Sequence, residues 1–312
     1  MCGFITSCVC KHARAPTDIN GPVKGFTNRH VVGQNGNGNG HSNGHGNGYS
    51  HTNGSHAMAN GVVSNGMTNG SHAHPKAHPS VDLGMRLQAS IDKIKHRGPD
   101  GSGVWVSDDA KVGLAHCRLS INDLTPSGAQ PLHSRDGLIH AVVNGEIYDF
   151  DRLRRECAEQ HGYRFTGESD SEVVIALYKA YGAPGFLEHL RGEFSFVLYD
   201  EREGSRRVIA SRDRYGIKPL FWTVVDDKVL FAAEMKAFLP MGWKPEWDVR
   251  GITDSGWILD DRTMFKGVRK LMPGHWIEVT DERGVEIQEY WAAEYPDKVS
   301  NRATVFSSRR AD

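Results

Sequence analysis

Between residues 16 and 80 the chain is dominated by Asn, Gly, His and Ser, as in Gln34-Asn35-Gly36-Asn37-Gly38-Asn39-Gly40. Such a segment carries too little apolar surface to offset the entropy of ordering it, so its composition predicts disorder. Any packed core must therefore be assembled from the first fifteen residues and the stretch beyond residue 80. The histidines of this insert, among them His41, His45, His51 and His56, are irregularly spaced, and no Cys or carboxylate stands beside them. A solvated insertion is favoured over a metal site.

The formal net charge of -1 and a pI near 7.0 provide no field that would recruit nucleic acid or a membrane surface. No apolar run approaches the ~20 residues needed to span a bilayer. The N-terminus lacks a charged region followed by an apolar one, so no signal peptide is expected. Five cysteines (Cys2, Cys8, Cys10, Cys117 and Cys157) are an odd number for a disulfide framework, and a reducing, cytoplasmic setting is the expectation. Cys8 and Cys10 fit neither a CxxC motif nor a usual zinc spacing. They alternate with Ile5 and Val9 in a strand-like run, which predicts buried thiols.

Leu83, Leu87, Ile91 and Ile94 are spaced four, four and three apart, an apolar stripe along one helix face. The breakers His96-Arg97-Gly98-Pro99-Asp100-Gly101 end it in a turn or loop. Strand-like runs follow at 104–106, 112–115 and 139–143, then helical stretches at 152–160 and 171–181. A second β-rich set covers 194–199, 207–210, 220–225 and 229–232. Strands, then helices, then strands predict a mixed α+β fold with antiparallel sheets. Neither GxGxxG after the first strand nor GxxxxGK[ST] occurs, so nothing marks a nucleotide site.

Several polar groups are candidates for chemistry. If the initiator methionine is removed, as is usual before a small residue, Cys2 carries a thiol near ~8.5 and an α-amine near ~8, and each can serve the other at neutral pH. An N-terminal nucleophile works this way, its own amine being the general base. A cysteine that happens to begin a strand is the competing reading. Arg118, among apolar strand residues, suits bidentate capture of a carboxylate, or is a surface arginine with a local ion pair. Asn144-Gly145 after the strand ending at Val143 can form an oxyanion hole or a plain hairpin turn. Asp170 sits where a helix N-cap is expected and could also receive a substrate ammonium.

Taken together, ordered strings along the chain resemble the glutamine-hydrolysing domain of class II (N-terminal-nucleophile) glutamine amidotransferases, specifically that of asparagine synthetase. They are Met1-Cys2-Gly3, His96-Arg97-Gly98-Pro99-Asp100, Ala115-His116-Cys117-Arg118-Leu119-Ser120, Gly128-Ala129-Gln130-Pro131-Leu132 and Val143-Asn144-Gly145-Glu146-Ile147-Tyr148. Arg191-Gly192-Glu193-Phe194, Arg212-Asp213-Arg214-Tyr215-Gly216-Ile217-Lys218-Pro219-Leu220, Glu234-Met235-Lys236-Ala237 and Pro273-Gly274-His275 continue the series. The resemblance implies an αββα sandwich of two antiparallel sheets between helical layers. It implies one domain over residues 1–295, interrupted by the insertion at about 16–80, with a polar tail at 296–312. It further implies that Cys2 attacks the side-chain amide of L-glutamine, that Asn144 and the Gly145 N–H hold the oxyanion, that Arg118 binds the α-carboxylate, and that Asp170 and Glu146 bind the α-ammonium. No metal or organic cofactor is expected for this half-reaction.

Two departures from the family stand out. The insertion occupies a connection that is usually much shorter. The Ser-Gly-Gly-x-Asp-Ser pyrophosphate loop of the ATP-dependent synthetase domain is absent, so ATP and Mg would enter only through a missing domain, and the tail at 301–312 resembles the start of a truncated one. Three readings follow: the glutaminase part of an asparagine synthetase-like protein, a stand-alone subunit supplying ammonia to a separate acceptor enzyme, or a non-catalytic regulatory remnant. The oligomeric state is left open, a homodimer included.

Overall fold

The computed structural model describes residues 2–14, 78–202, 206–253 and 260–294; most of the Asn/Gly/His-rich insertion, with His41, His45, His51 and His56, and the tail at 296–312 lie outside them. Two six-stranded sheets face each other, and every strand pairing is antiparallel. The first has the order β10(Val268–Lys270), β8(Phe221–Val225), β9(Lys228–Ala232), β1(Gly3–Val9), β3(Val112–Arg118), β2(Gly101–Val106). The second runs β12(Gly284–Glu289), β11(His275–Thr280), β7(Arg207–Arg212), β6(Gly192–Asp200), β5(Ile139–Ile147), β4(Leu132–His133). Helix α1(Pro79–Lys93) covers the first sheet; α2(Phe150–His161), α3(Val173–Tyr181) and α4(Phe186–His189) cover the second. A short α5(Val249–Thr253) lies beyond β9. This is the αββα sandwich expected.

Strand side chains alternate between faces, and three apolar clusters follow from that period. Phe4, Cys8, Val112 and Leu114 meet Val142, Val197, Val208 and Ile277 between the sheets. Ile5, Ala115 and Ala232 point the other way and pack under Leu83, Leu87, Ile91 and Ile94 of α1, the stripe legible in the sequence. Ala141, Val143, Phe196 and Leu198 pack against Leu153, Cys157, Val174 and Phe186 of the other helical layer. Cys8, Cys10, Cys117 and Cys157 are buried free thiols.

Helix α1 begins at Pro79, two residues inside the stretch assigned to the insertion. Pro is well suited there: its φ is preset and its missing N–H would have had no helical acceptor. The main strands missed from sequence are β11 and β12, a hairpin on the edge of the second sheet. No helix among the described residues is long and apolar enough to cross a membrane.

Burial separates structural from incidental apolar positions on α1. Ile91 is 0 % exposed, whereas Val81 on the same helix is 53 % exposed. Ile91→Ala is expected to destabilise by about 2–5 kcal/mol, and Val81→Ala to stay within about 0.5 kcal/mol. Comparing denaturant midpoints checks this, and similar shifts for the two variants would contradict the layer assignment.

Candidate active site

Pleat parity assembles the site. Residues 4 and 8 of β1, 112 and 114 of β3 and 142 of β5 face the space between the sheets. Continued by period two, that face carries Cys2, His116, Arg118 and Asn144 toward one end of the sandwich. There a cleft is lined by Cys2, Arg118, Gly145, Glu146 and Asp170 together with Asn122. Five of the six site residues expected from sequence thus line one cleft, and Asn144 lies between Val143 and Gly145, which both line it.

Cys2 Sγ accepts a hydrogen bond from the Leu119 N–H at 3.4 Å and lies 3.6 Å from the Leu119 carbonyl. Burial pushes its thiol up, against the lowering effects of the Leu119 amide, the positive chain terminus and Arg118. The thiol is therefore held protonated at neutral pH, and attack would require a nearby base. His116 is not placed for that task. Its Nε2 donates to the Val143 carbonyl at 3.1 Å, and burial pushes its pKa down to about 3. It is a neutral stitch between β3 and β5.

Asn144 is fully buried, and neither its Oδ1 nor its Nδ2 has a hydrogen-bond partner among the described residues. Leaving such a group unsatisfied costs about 1–3 kcal/mol, and its amide is free to bond a group entering the cleft. Its flanks are fixed: Gln130 clamps Val143, donating from Nε2 to its carbonyl at 3.1 Å and accepting its N–H at 2.7 Å. Gly145 has φ +146°, and a Cβ there would stand 2.0 Å from the Glu193 carbonyl oxygen. Only glycine fits. The Asn-Gly pair is not a hairpin turn but part of β5, opposite Ser195 and Phe194.

The cleft carries charged groups of both signs. Arg118 makes no ion pair among the described residues. Its Nη1 donates to the Thr125 carbonyl at 2.9 Å and its Nη2 to that of Asp123, and it lies over Gly128, where a Cβ would stand 2.3 Å from Nη2. Among the acids, Asp170 Oδ2 accepts the Ile147 N–H at 2.7 Å and Glu146 Oε2 accepts from Asn122 Nδ2. Burial pushes both carboxyls up; for Glu146 the neighbouring Asp170 charge adds to it. The helix-cap reading of Asp170 is corrected: Ser169 caps this turn, accepting the Ser171 N–H, while Asp170 turns to β5. A cleft that carries a guanidinium and two carboxyls is complementary in charge to a zwitterion.

Asn122, Asp123, Gln130 and Glu172 were missed from sequence. Asp123 accepts from Thr125 N at 2.8 Å, Thr125 Oγ1 at 2.7 Å, Ser127 Oγ at 2.9 Å and Glu168 N at 3.2 Å, tying the Arg118-holding loop to the Asp170 loop. The Thr125 hydroxyl leads in holding its carboxyl below the usual range. Asp123-Leu124-Thr125-Pro126-Ser127-Gly128 was readable as a side-chain-capped turn. A larger cavity of about 430 Å³, lined by Tyr178, Asp200, Arg202 and Arg207 among others, shares no residue with the cleft. Among the described residues no group of three or more His, Cys, Asp or Glu is placed to hold a metal.

The architecture is that of solved amidotransferases. Glutamine phosphoribosylpyrophosphate amidotransferase from B. subtilis, solved with ADP and GMP, matches with a TM-score of 0.51 at 20% identity, over 67% of this chain and 47% of that one. That likeness concerns the fold. The family is shown by sequence: the glutamine amidotransferase domain family matches residues 70–291, and the chain belongs to it. Amidase chry2 of Gibberella zeae is 52% identical over 212 residues, covering 68% of this chain and 31% of that protein. Asparagine synthetase [glutamine-hydrolyzing] 2 of Bacillus subtilis is 34% identical over 218 residues, covering 66% and 28%. The chain spans under a third of the length of these curated relatives.

The Asp170 shift has a testable sign. Its folded-state pKa is raised, so the native state loses stability as pH climbs from below the ordinary carboxylate value through the raised one. Asp170→Asn abolishes that loss. The variant is expected to gain stability relative to wild type as pH rises from about 3.5 to 7. Urea unfolding at both pH values checks this, and a gap that is constant or shrinks with pH would refute it.

Proposed function

We propose that this chain hydrolyses the side-chain amide of L-glutamine through a Cys2 thioester, as the glutaminase part of an asparagine synthetase-like protein. The observation that carries the reading is one cleft lined by a thiol, an unpaired guanidinium and two carboxyls held up by burial. With Met1 removed, the Cys2 α-amine takes the thiol proton and the sulfur bonds to the amide carbon. The negative oxygen receives the Gly145 N–H and the Asn144 amide. The C–N bond then breaks, the proton leaves with ammonia, and water cleaves the thioester to glutamate, regenerating the thiol. Arg118 takes the α-carboxylate; Asp170 and Glu146 take the α-ammonium, whose charge favours their ionised forms. The reaction draws on no cofactor, and ATP with Mg would serve only an acceptor-activating region outside this chain.

A second reading, ammonia delivered to an acceptor other than aspartate, is supported by the 52% identity to a fungal amidase against 34% to a bacterial asparagine synthetase. Five unpaired cysteines suit a reducing, cytoplasmic setting.

A glutamine-analogue electrophile should label Cys2 alone, intact mass should show loss of Met1, and Cys2→Ala should abolish glutamate release. Labelling at Cys117 or Cys157 instead would overturn the assignment. Arg118→Ala should weaken glutamine binding by about 1.5–3 kcal/mol, and an unchanged KM would make this arginine purely structural.

Asn144 supplies a test with opposite signs. Replacing the unsatisfied buried amide with a similar-sized apolar group, Asn144→Leu, is expected to stabilise the free protein by about 1–3 kcal/mol. The same change should cost about 10²–10³ in kcat. Thermal unfolding and glutamate release measured on one preparation decide it; a destabilised or fully active variant would contradict the role.

A further inference from the structure

Two motifs singled out in the sequence, His96-Arg97 and Glu234-Met235-Lys236, have no part in the chemistry above, yet the fold joins them behind Cys2. Arg97 Nε donates to the Cys2 carbonyl at 2.9 Å, and its Nη1 pairs with Glu234 Oε1 at 3.0 Å. His96 Nε2 bonds the same oxygen at 3.0 Å, and Lys236 Nζ pairs with Glu234 Oε2 at 3.0 Å. The Arg97 side chain is 9% exposed and that of Glu234 24%. Glu234 directly follows the buried Ala233, whose N–H bonds the Phe4 carbonyl at 3.2 Å, so the carboxylate is carried by the strand beside β1.

We propose that Glu234, acting through Arg97, is a positioning residue for the Cys2 main chain. The inference rests on Cys2 being the mature N-terminal nucleophile. A terminal residue has no preceding peptide unit to fix it. Its amine and thiol swing together about the bonds to Gly3, and the carbonyl is the main-chain group that can anchor them. Arg97 anchors that carbonyl. A lone arginine could swivel, but its planar fork, held at one edge by Glu234 and at Nε by Cys2, has its orientation set. Glu234 touches no reacting atom and reaches none of the groups assigned to glutamine. Its loss should therefore misaim the attack while leaving substrate recognition in place.

The experiment compares full-length wild type, Glu234→Gln and Glu234→Asp. Glu234→Gln keeps the shape and one acceptor but loses the charge. Its kcat for glutamate release is expected to fall about 10- to 100-fold, the range for a small misplacement of a reacting group. KM should stay within about twofold, and glutamate binding by calorimetry should match wild type, which also shows that the variant is folded. Glu234→Asp, retaining charge, should recover part of kcat. An unchanged kcat in Glu234→Gln, or a loss confined to KM, overturns the positioning role while wild-type turnover upholds the glutaminase reading. Wild type that neither turns over nor labels at Cys2 removes both.

Discussion

Everything at the site depends on the antiparallel pairing of β1 between β3 and β9. Gly3 opposes Cys117 and Ile5 opposes both Ala115 and Ala232, so the first strand of the chain is an interior strand of its sheet. A slip of one residue would turn Phe4 and Cys8 out of the inter-sheet core and bring Ile5 and Ser7 in. The same slip would turn Cys2 away from Arg118 and the end of β5. The apolar register that stabilises the sandwich is thus also what aims the N-terminal residue, and the geometry of the site is inherited from the core.

Around that frame the polar groups are held at a cost to the free protein. Asn144 is buried with both amide atoms unpaired, while Asp170 and Glu146 carry carboxyls that burial disfavours as anions. Other acids are bonded more fully: Asp123 has four donors within the protein, and Glu172 accepts from Tyr163, Thr166 and Gly167. The contrast separates groups that close the structure from groups that await something outside it. At Asn144 the unsatisfied amide stands beside the cleft, where an oxyanion can take up its donor.

The core was legible where apolar residues recur: the α1 stripe and the short strand-like runs of β3, β5 and β6, buried on both faces, could be read directly. The hairpin of β11 and β12 also alternates, but Glu278 on its buried side interrupts the apolar pattern; it is 3% exposed and paired with Arg207 and Arg283. β4, at two residues, is too short to show any period. At the site, Cys2, Arg118 and Gly145 were found by motif. Their supports were not, because Arg118 is held by main-chain carbonyls of Asp123 and Thr125, and main chain is silent in sequence. Asn144-Gly145 reads locally as a turn; its place within β5 is imposed by pairing with β6, a long-range fact.

The family match at 70–291 leaves out β1, although β1 directly follows Cys2 and sits inside the first sheet. The folding unit is therefore discontinuous, with 69 residues between Val9 and Pro79. Closing a connection of that length costs about 1.7 kcal/mol more than closing one of about ten residues, because the cost grows only with the logarithm of length. Burying Phe4 and Ile5 alone, each 0% exposed, returns about 1.5–3 kcal/mol apiece. The sheet can thus recruit its distant N-terminal strand across so long a connection. The requirement falls on β1 itself, where apolar residues facing both sides must hold the terminus in the sheet.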